Sequence, residues 1–216
     1  MQDTQSKAAA ALPYTHSIDG CMERAVGQHG LTAQELSGLL ARLAPALDAL
    51  KVDYRNKSLP HLCIAEETAD LADAAKALAR LSVGADCIVF FGIGGSSLGG
   101  QTLAQLGGWH IPGMATPEQR RRPRTRFYDN LDPVTLQAAL ESFELARTRF
   151  VVISKSGGTP ETLVQALAAL AAVKAAGLET QIPALFLGIT EPAMPGKANG
   201  LRALFAARVA ASWRRV

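Results

Sequence analysis

The sequence predicts an α/β fold, a three-layer α/β/α parallel sheet entered through an N-terminal helical segment. Three observations carry this expectation. Cys87-Ile88-Val89-Phe90-Phe91 is a continuous apolar run, as suits a strand buried on both faces. Strand-like and helix-like stretches alternate from residue 87 to residue 190, the pattern of a parallel sheet with crossover helices. Two turns rich in glycine and serine each follow such a strand and precede a helix.

In chain order, residues 1–17 read as a disordered tail, and residues 18–84 as the helical segment. Within it, 18–29 has weak helical periodicity. Thr32 and Glu35 form a capping box, which starts a helix whose Leu36, Leu39, Leu40, Leu43 and Leu47 make one apolar stripe facing a core. Pro45 is expected to kink or split that helix. Residues 56–60 are a turn, 61–65 a short strand and 66–81 a helix with Leu71, Ala74, Ala75, Leu78 and Leu81 on one face. The sheet domain spans 85–207. Its strands are expected at 87–91, 125–129, 149–154 and 184–190. Helices follow at 98–106, at 133–144 behind an Asp132 N-cap and Pro133, and at 159–177 with Leu163, Leu167, Leu170 and Val173 inward. Residues 107–122 and 192–200 are loops, and 201–216 is helical in pattern.

Composition narrows the function. With 216 residues, 48% hydrophobic and 19% charged, the chain can bury a real core and is unlike a disordered protein. A net charge of +3 gives no reason to invoke nucleic acid. Arg120, Arg121, Arg122, Arg124 and Arg126 cluster, as do Arg202, Arg208, Arg214 and Arg215, but no aromatic residues interleave with them, and the first group reads as a solvated loop. No apolar run reaches the length of a membrane span, and the N-terminus lacks the pattern of a signal peptide. Three cysteines, Cys21, Cys63 and Cys87, are too few for a disulfide scaffold, their odd, low count suits a reducing cytoplasm, and the lack of a C-x-x-C pair argues against a thiolate zinc site. No metal-ligand cluster is evident, so neither metal nor cofactor is expected.

The chemistry lies in the two turns, Gly92-Ile93-Gly94-Gly95-Ser96-Ser97-Leu98-Gly99-Gly100 and Ser154-Lys155-Ser156-Gly157-Gly158-Thr159-Pro160-Glu161-Thr162. In an open parallel sheet, ligands sit beyond the carboxyl ends of the strands. There the first amides of a helix lack internal partners and carry partial positive charge. Glycines let the backbone approach a ligand, and hydroxyls add short donors, so the combination cradles an anion such as phosphate. The second turn is the stronger phosphate candidate, with Ser154, Ser156 and Thr159 flanking Gly157 and Gly158, and Lys155 as a nearby charge. The first turn has fewer hydroxyls; it could position sugar hydroxyls through Gly95 and Ser96, or be simply a tight connection. Neither turn fits the dinucleotide fingerprint or the Walker A loop.

GIGGSSLGG at 92–100, SKSGGTPET at 154–162 and the intervening FYDNLDP at 127–133 resemble the sugar-phosphate motifs of glucose-6-phosphate isomerases. The resemblance covers roughly residues 50 to 207. It implies a sugar isomerase (SIS) type of domain, with Gly95 and Ser96 on the substrate and Ser154, Lys155, Ser156, Gly157, Gly158 and Thr159 on the phosphate. Glu161 matches a family glutamate near the site, and equally suits a carboxylate placed by the helix dipole. The reaction implied interconverts glucose 6-phosphate and fructose 6-phosphate by ring opening and proton transfer between C1 and C2 through a cis-enediol.

The chain also departs from that family. The similar enzymes are about twice this length or more, and their base glutamate, histidine, enediol-stabilising arginine in a GGR motif and final lysine lie in a second half. No GGR occurs here, and His16, His29, His61 and His110 match none of the family positions. Residues 208–216 do not continue the family pattern. The expectation is a truncated or frameshifted N-terminal part that keeps the phosphate cradle, lacks the catalytic base and is inactive alone. A homodimer is possible. Alternatives are a non-catalytic sugar-phosphate sensor or regulator, and another isomerase of the same type acting on amino sugar phosphates.

Overall fold

Four parallel strands, β1 Cys87–Phe91, β2 Arg124–Tyr128, β3 Thr148–Ile153 and β4 Phe186–Ile189, lie in the order β2-β1-β3-β4 and organise the part of the chain that carries both turns. The computed structural model describes residues 15–108 and 122–208, the side chain of Arg208 excepted. Most of the expected N-terminal tail, the middle of the 107–122 loop, His110, Arg120, Arg121 and residues 209–216 lie outside the described residues. The chain divides into two compact units, Met1–Glu67 and Thr68–Val216.

In the first unit, the helix expected over 18–29 is instead a series of single turns, two 3-10 turns at Asp19–Cys21 and Gly27–His29 around α1, Glu23–Val26. The Glu23 N–H donates to the Leu31 carbonyl and the Leu31 N–H to the Cys21 carbonyl, each at 2.9 Å, taking groups a continuous helix would use internally. Helix α2, Ala33–Asn56, opens on the expected capping box, with Thr32 Oγ1 accepting from the Glu35 amide at 3.1 Å and Glu35 Oε2 from the Thr32 amide at 2.9 Å. Of the two outcomes expected at Pro45, a split does not occur, and the helix runs through it. Proline forfeits one hydrogen bond in mid-helix, and the strong helix formers on either side carry the helix through. Its leucine stripe does not face a core either. Leu39, Leu40, Leu43 and Leu47 are exposed, because the other described elements of this unit are single turns with no broad apolar face. The strand expected at 61–65 is a pair of 3-10 turns, Pro60–Leu62 and Ile64–Glu66, whose amides bond three residues back rather than across to a partner strand.

In the second unit, α3 spans Leu71–Ser82, beginning later than residue 66 because a turn from the Thr68 carbonyl to the Leu71 amide precedes it. Then follow β1 Cys87–Phe91, α4 Gly95–Leu106, β2 Arg124–Tyr128, α5 Pro133–Ser142, β3 Thr148–Ile153, α6 Pro160–Ala175, α7 Ile182–Leu185, β4 Phe186–Ile189 and α8 Gly200–Arg208. Helix α4 starts three residues before the apolar pattern does, because its first turn is the glycine-serine motif itself. Arg124 and Arg126 lie on β2 rather than in a loop. Asp132 caps α5 as expected, accepting from the Thr135 amide at 3.0 Å.

The central strands β1 and β3 are buried on both faces, and the edge strands β2 and β4 are only partly covered. On one face, Phe91, Phe150 and Phe186 form a row with ring centroids 5.8 and 4.8 Å apart, continued by Phe205 of α8 at 6.4 Å from Phe186, and α5, α6 and α7 pack on the same core. On the other, Leu81 of α3 packs with Ile88 and Val151, and Phe90 stacks on Phe127 at 4.7 Å below Gly100 of α4. Arg149 ties α3 to this core, donating from Nε to the Leu81 carbonyl at 3.0 Å and from the guanidinium to the Val83 carbonyl at 2.6 Å. In α6 the inward stripe is Thr162, Gln165, Ala166, Ala169, Leu170 and Val173. Leu163 is half-buried and Leu167 half exposed, so the expected inward face is rotated. Alanines bring this helix close to the sheet and leave Leu163 and Leu167 on its flanks, while Leu170 and Val173 face inward as expected.

Candidate functional site

Strand order decides where a ligand can sit. From β1 the chain crosses to β2 on one side, and from β3 it crosses to β4 on the other, so the direction of winding reverses between β1 and β3. This is the topological switch point, where connections diverge and leave a crevice at the carboxyl edge. Phe91 is in register with Val152. Gly92 therefore lies level with Ile153, and the two motifs begin within one residue of each other at the same edge.

The β1–α4 turn is sparsely held. Gly92 brings the strand end against the first turn of α4, where a Cβ would lie 2.8 Å from the Ser96 carbonyl oxygen. Gly94 is the helix N-cap, and no side chain caps the start. The Ser96 amide donates to the Ile93 carbonyl at 3.1 Å and the Ser97 amide to Gly94 at 3.0 Å. Gly95 is exposed, with open space around its Cα, and Ser96 is half-buried. Ser97 turns inward, accepting from Gln101 Nε2 at 2.8 Å.

The β3–α6 turn is held at almost every residue. The Ser154 hydroxyl is buried and lies 3.0 Å from the Thr159 hydroxyl, and the Ser154 amide donates to Ile189 of β4. The Lys155 carbonyl accepts from the Glu191 amide at 3.1 Å and the Thr190 hydroxyl at 3.0 Å, while the lysine side chain is exposed. Ser156 Oγ accepts from the Gly158 amide at 3.2 Å. Gly157 has φ +67°, and a Cβ there would overlap Asn199 Oδ1, so no other residue fits without displacement. Its carbonyl accepts from the Leu201 amide at 2.8 Å. Helix α6 then opens with Pro160 and no side-chain cap, leaving the positive end of a 16-residue helix dipole at the turn. Glu161 sits half-buried in its first turn.

The structure thus brings Ser154 with Thr159 and Ser156 with Gly158 into direct contact, and sets Gly95 and Ser96 on the neighbouring turn. It also shows residues that the sequence reading missed. Asn199 accepts from the Arg202 amide at 2.9 Å as the cap of α8 and donates to the Thr190 hydroxyl at 2.7 Å, bracing the second turn from behind. An asparagine just ahead of a helical pattern is an N-cap signal that could have found it. Gln165 is wholly buried and binds the β2–α5 turn. A polar residue on the inward face of an otherwise apolar helix was its signal. Asp132, at the same turn, is held below the usual carboxylate range by hydrogen bonds from Thr135.

Among the described residues, no group of three or more His, Cys, Asp or Glu side chains is placed to hold a metal ion. His16, His29 and His61 are exposed residues of the first unit. A groove of about 630 Å³ runs between α5 and α6, lined by Leu131, Leu136, Leu140, Val164 and Ala168 among others. It contains none of the predicted site residues, and its apolar walls give an anion nothing to bind.

Comparison with known proteins covers the stretch that holds both turns. The family model for phosphoglucose isomerase matches residues 79–195, from the end of α3 through both motifs. A glucose-6-phosphate isomerase of Geobacter sulfurreducens is 43% identical over 95 residues, covering 43% of this chain and 16% of that protein. A probable glucose-6-phosphate isomerase of Haloquadratum walsbyi is 31% identical over 151 residues, 69% of this chain and 33% of that protein. The chain therefore spans between about a sixth and a third of the length of these curated relatives. Among solved structures, a hypothetical protein from Thermus thermophilus superposes with a TM-score of 0.60 at 23% identity, covering 82% of this chain and 40% of that one, and shares its fold. With more than half of its residues under one family model, and both motifs inside the match, the chain belongs to the phosphoglucose isomerase family.

Proposed function

We propose that this chain supplies the sugar-phosphate-binding part of a glucose-6-phosphate isomerase. The observation that carries the reading is the opening of both turns side by side at the switch point between β1 and β3. The β3–α6 turn takes the phosphoryl group through Ser154, Ser156, Thr159, the backbone at Gly157 and Gly158, and the charge of Lys155. Hydroxyl and amide donors at a helix N-terminus match the acceptor-only oxygens of a phosphate monoester. The β1–α4 turn, through Gly95 and Ser96, faces the sugar, where glycine lets backbone amides reach the hydroxyls.

Ring opening and the C1–C2 proton transfer need an acid and a base within hydrogen-bond reach of the sugar. The predicted site residues on the two turns are hydroxyls, glycines, a lysine and Glu161. The catalytic base is assigned to residues outside these 216. The chain on its own then binds substrate and product without interconverting them.

Calorimetry with glucose 6-phosphate, fructose 6-phosphate and glucosamine 6-phosphate, beside a coupled isomerase assay, tests this. Binding of the first two with no turnover is the expected result. Failure to bind any of them removes the assignment. Preference for glucosamine 6-phosphate transfers it to an amino-sugar isomerase, and turnover by the 216-residue chain overturns the placement of the base.

A further inference from the structure

Gln165 lies in the second turn of α6 and is wholly buried. A primary amide at that depth is unfavourable unless its polar atoms are matched. Its Nε2 donates twice, to the Asn130 carbonyl at 2.8 Å and the Tyr128 carbonyl at 3.2 Å. These two carbonyls bracket Asp129, where β2 gives way to the turn leading into α5. The Tyr128 carbonyl also accepts from the Gly92 amide at 3.4 Å, the first residue of the β1–α4 turn. Asn130 continues the chain of contacts, its Oδ1 accepting from the amide of the α5 cap residue, Asp132, at 3.0 Å.

One side chain on the helix of the second motif therefore reaches the backbone of the first motif through a single shared carbonyl. The other end of the amide argues that this link is its purpose. Among the described residues, the buried Gln165 Oε1 has no hydrogen-bond partner. An unmatched acceptor destabilises a core, so an apolar side chain of similar size would serve packing better. Glutamine is suited to this position by its two donors.

We infer that Gln165 is a positioning residue. It fixes the β1–α4 and β2–α5 turns at one spacing from the phosphate cradle, so that a sugar phosphate is gripped at both ends at once. The inference rests on the assignment above of phosphoryl group and sugar to the two turns. It predicts a split between ligands. Inorganic phosphate needs only the β3–α6 turn, whereas glucose 6-phosphate needs both turns in register.

The test uses the full chain with Gln165→Met, which keeps the volume and removes both donors, and Gln165→Glu, which keeps the shape and leaves at most one donor, the proton of a buried carboxyl. Val173→Ala, a buried truncation at the far end of α6, controls for lost stability. Calorimetry is run with glucose 6-phosphate and with inorganic phosphate, and hydrogen exchange is followed at the amides of residues 128–132. Both Gln165 variants should weaken glucose 6-phosphate about tenfold while leaving inorganic phosphate within about twofold. Exchange at 128–132 should quicken, and Val173→Ala should show neither effect. Equal weakening of the two ligands, or a pattern matched by Val173→Ala, overturns the inference, as does unchanged exchange at 128–132. If the unmodified chain binds neither ligand, the phosphosugar assignment is what fails, and the exchange measurement alone then decides whether Gln165 holds the turns.

Discussion

The two glycine-rich turns leave neighbouring strands at one edge of the sheet, yet they are held in opposite ways. The β3–α6 turn is gripped from three sides. Its own hydroxyls pair across it, Thr190 and Glu191 bind it from the end of β4, and Asn199 with Leu201 closes on Gly157 from the start of α8. In the β1–α4 turn, Gly94 and Gly95 are exposed and have open space around them. Similar composition thus serves two mechanical designs. A tetrahedral anion has a fixed size and rewards a preorganised set of donors. Sugar hydroxyls differ in number and direction, and a glycine backbone with room around it can meet them.

The sharpest way to break this contrast is Gly157→Ala. The residue sits at φ +67°, where a side chain is strained, and its methyl would have to displace Asn199, which caps α8 and binds Thr190. Backbone strain, steric overlap and loss of the cap together should destabilise the second unit by about 3 kcal/mol. Chemical denaturation measures this, and inorganic phosphate binding should be lost as well. A variant of near-normal stability that still binds phosphate would show that the turn is not braced as described.

Gly95→Ala sharpens the same contrast from the other side. Gly95 opens α4 with an ordinary φ and nothing within contact distance of a Cβ. Alanine there should raise stability slightly, by about 0.5 kcal/mol, through helix propensity and a less flexible unfolded chain. On the proposed assignment, glucose 6-phosphate affinity should nevertheless fall, because the added methyl would stand where the sugar is placed. A rise in melting temperature with unchanged sugar-phosphate binding would mean that this turn is only a connection.

The sequence disclosed the sheet unit far better than the segment before it, for physical reasons. Strands β1 and β3 are continuous apolar runs because they are buried on both faces, so each reading fell within a residue or so of the strand. Asp132 and Thr32 were legible because capping depends on residues a few positions apart. The stretches at 18–29 and 61–65 misled because their shape is set by bonds such as Glu23 to Leu31 that local periodicity does not register. The leucine stripe of α2 shows that periodicity reveals an amphipathic face and not what covers it. At the site, both turns stood out in the sequence through glycine and hydroxyl spacing. Asn199 and Gln165 carry only the local signals of an N-cap and of a polar residue on an inward face, and their part in bracing the turns arises only when β4, α8 and the β2–α5 turn are brought together. The strand order that makes the two turns adjacent was likewise invisible in one dimension.

The smallest effect concerns the third turn at the same edge, between β2 and α5. Hydrogen bonds from Thr135 hold the Asp132 carboxyl below the usual carboxylate range. A carboxylate whose folded value is depressed contributes stability that is fully present above its ordinary range and is lost as pH falls through the lowered value. Asp132→Asn keeps an N-cap acceptor without a titrating proton. At neutral pH its urea midpoint should lie slightly below that of the unmodified chain, because the charge at the helix N-terminus is gone. As the pH falls through the carboxylate range the gap should close, since protonation removes the same charge from the unmodified chain. A gap that stays constant across that range would show that the ionised cap contributes nothing to holding the β2–α5 turn. The tie to Gln165 would then be what keeps that turn in place, and its loss in Gln165→Met should loosen residues 128–132 equally at acid and at neutral pH.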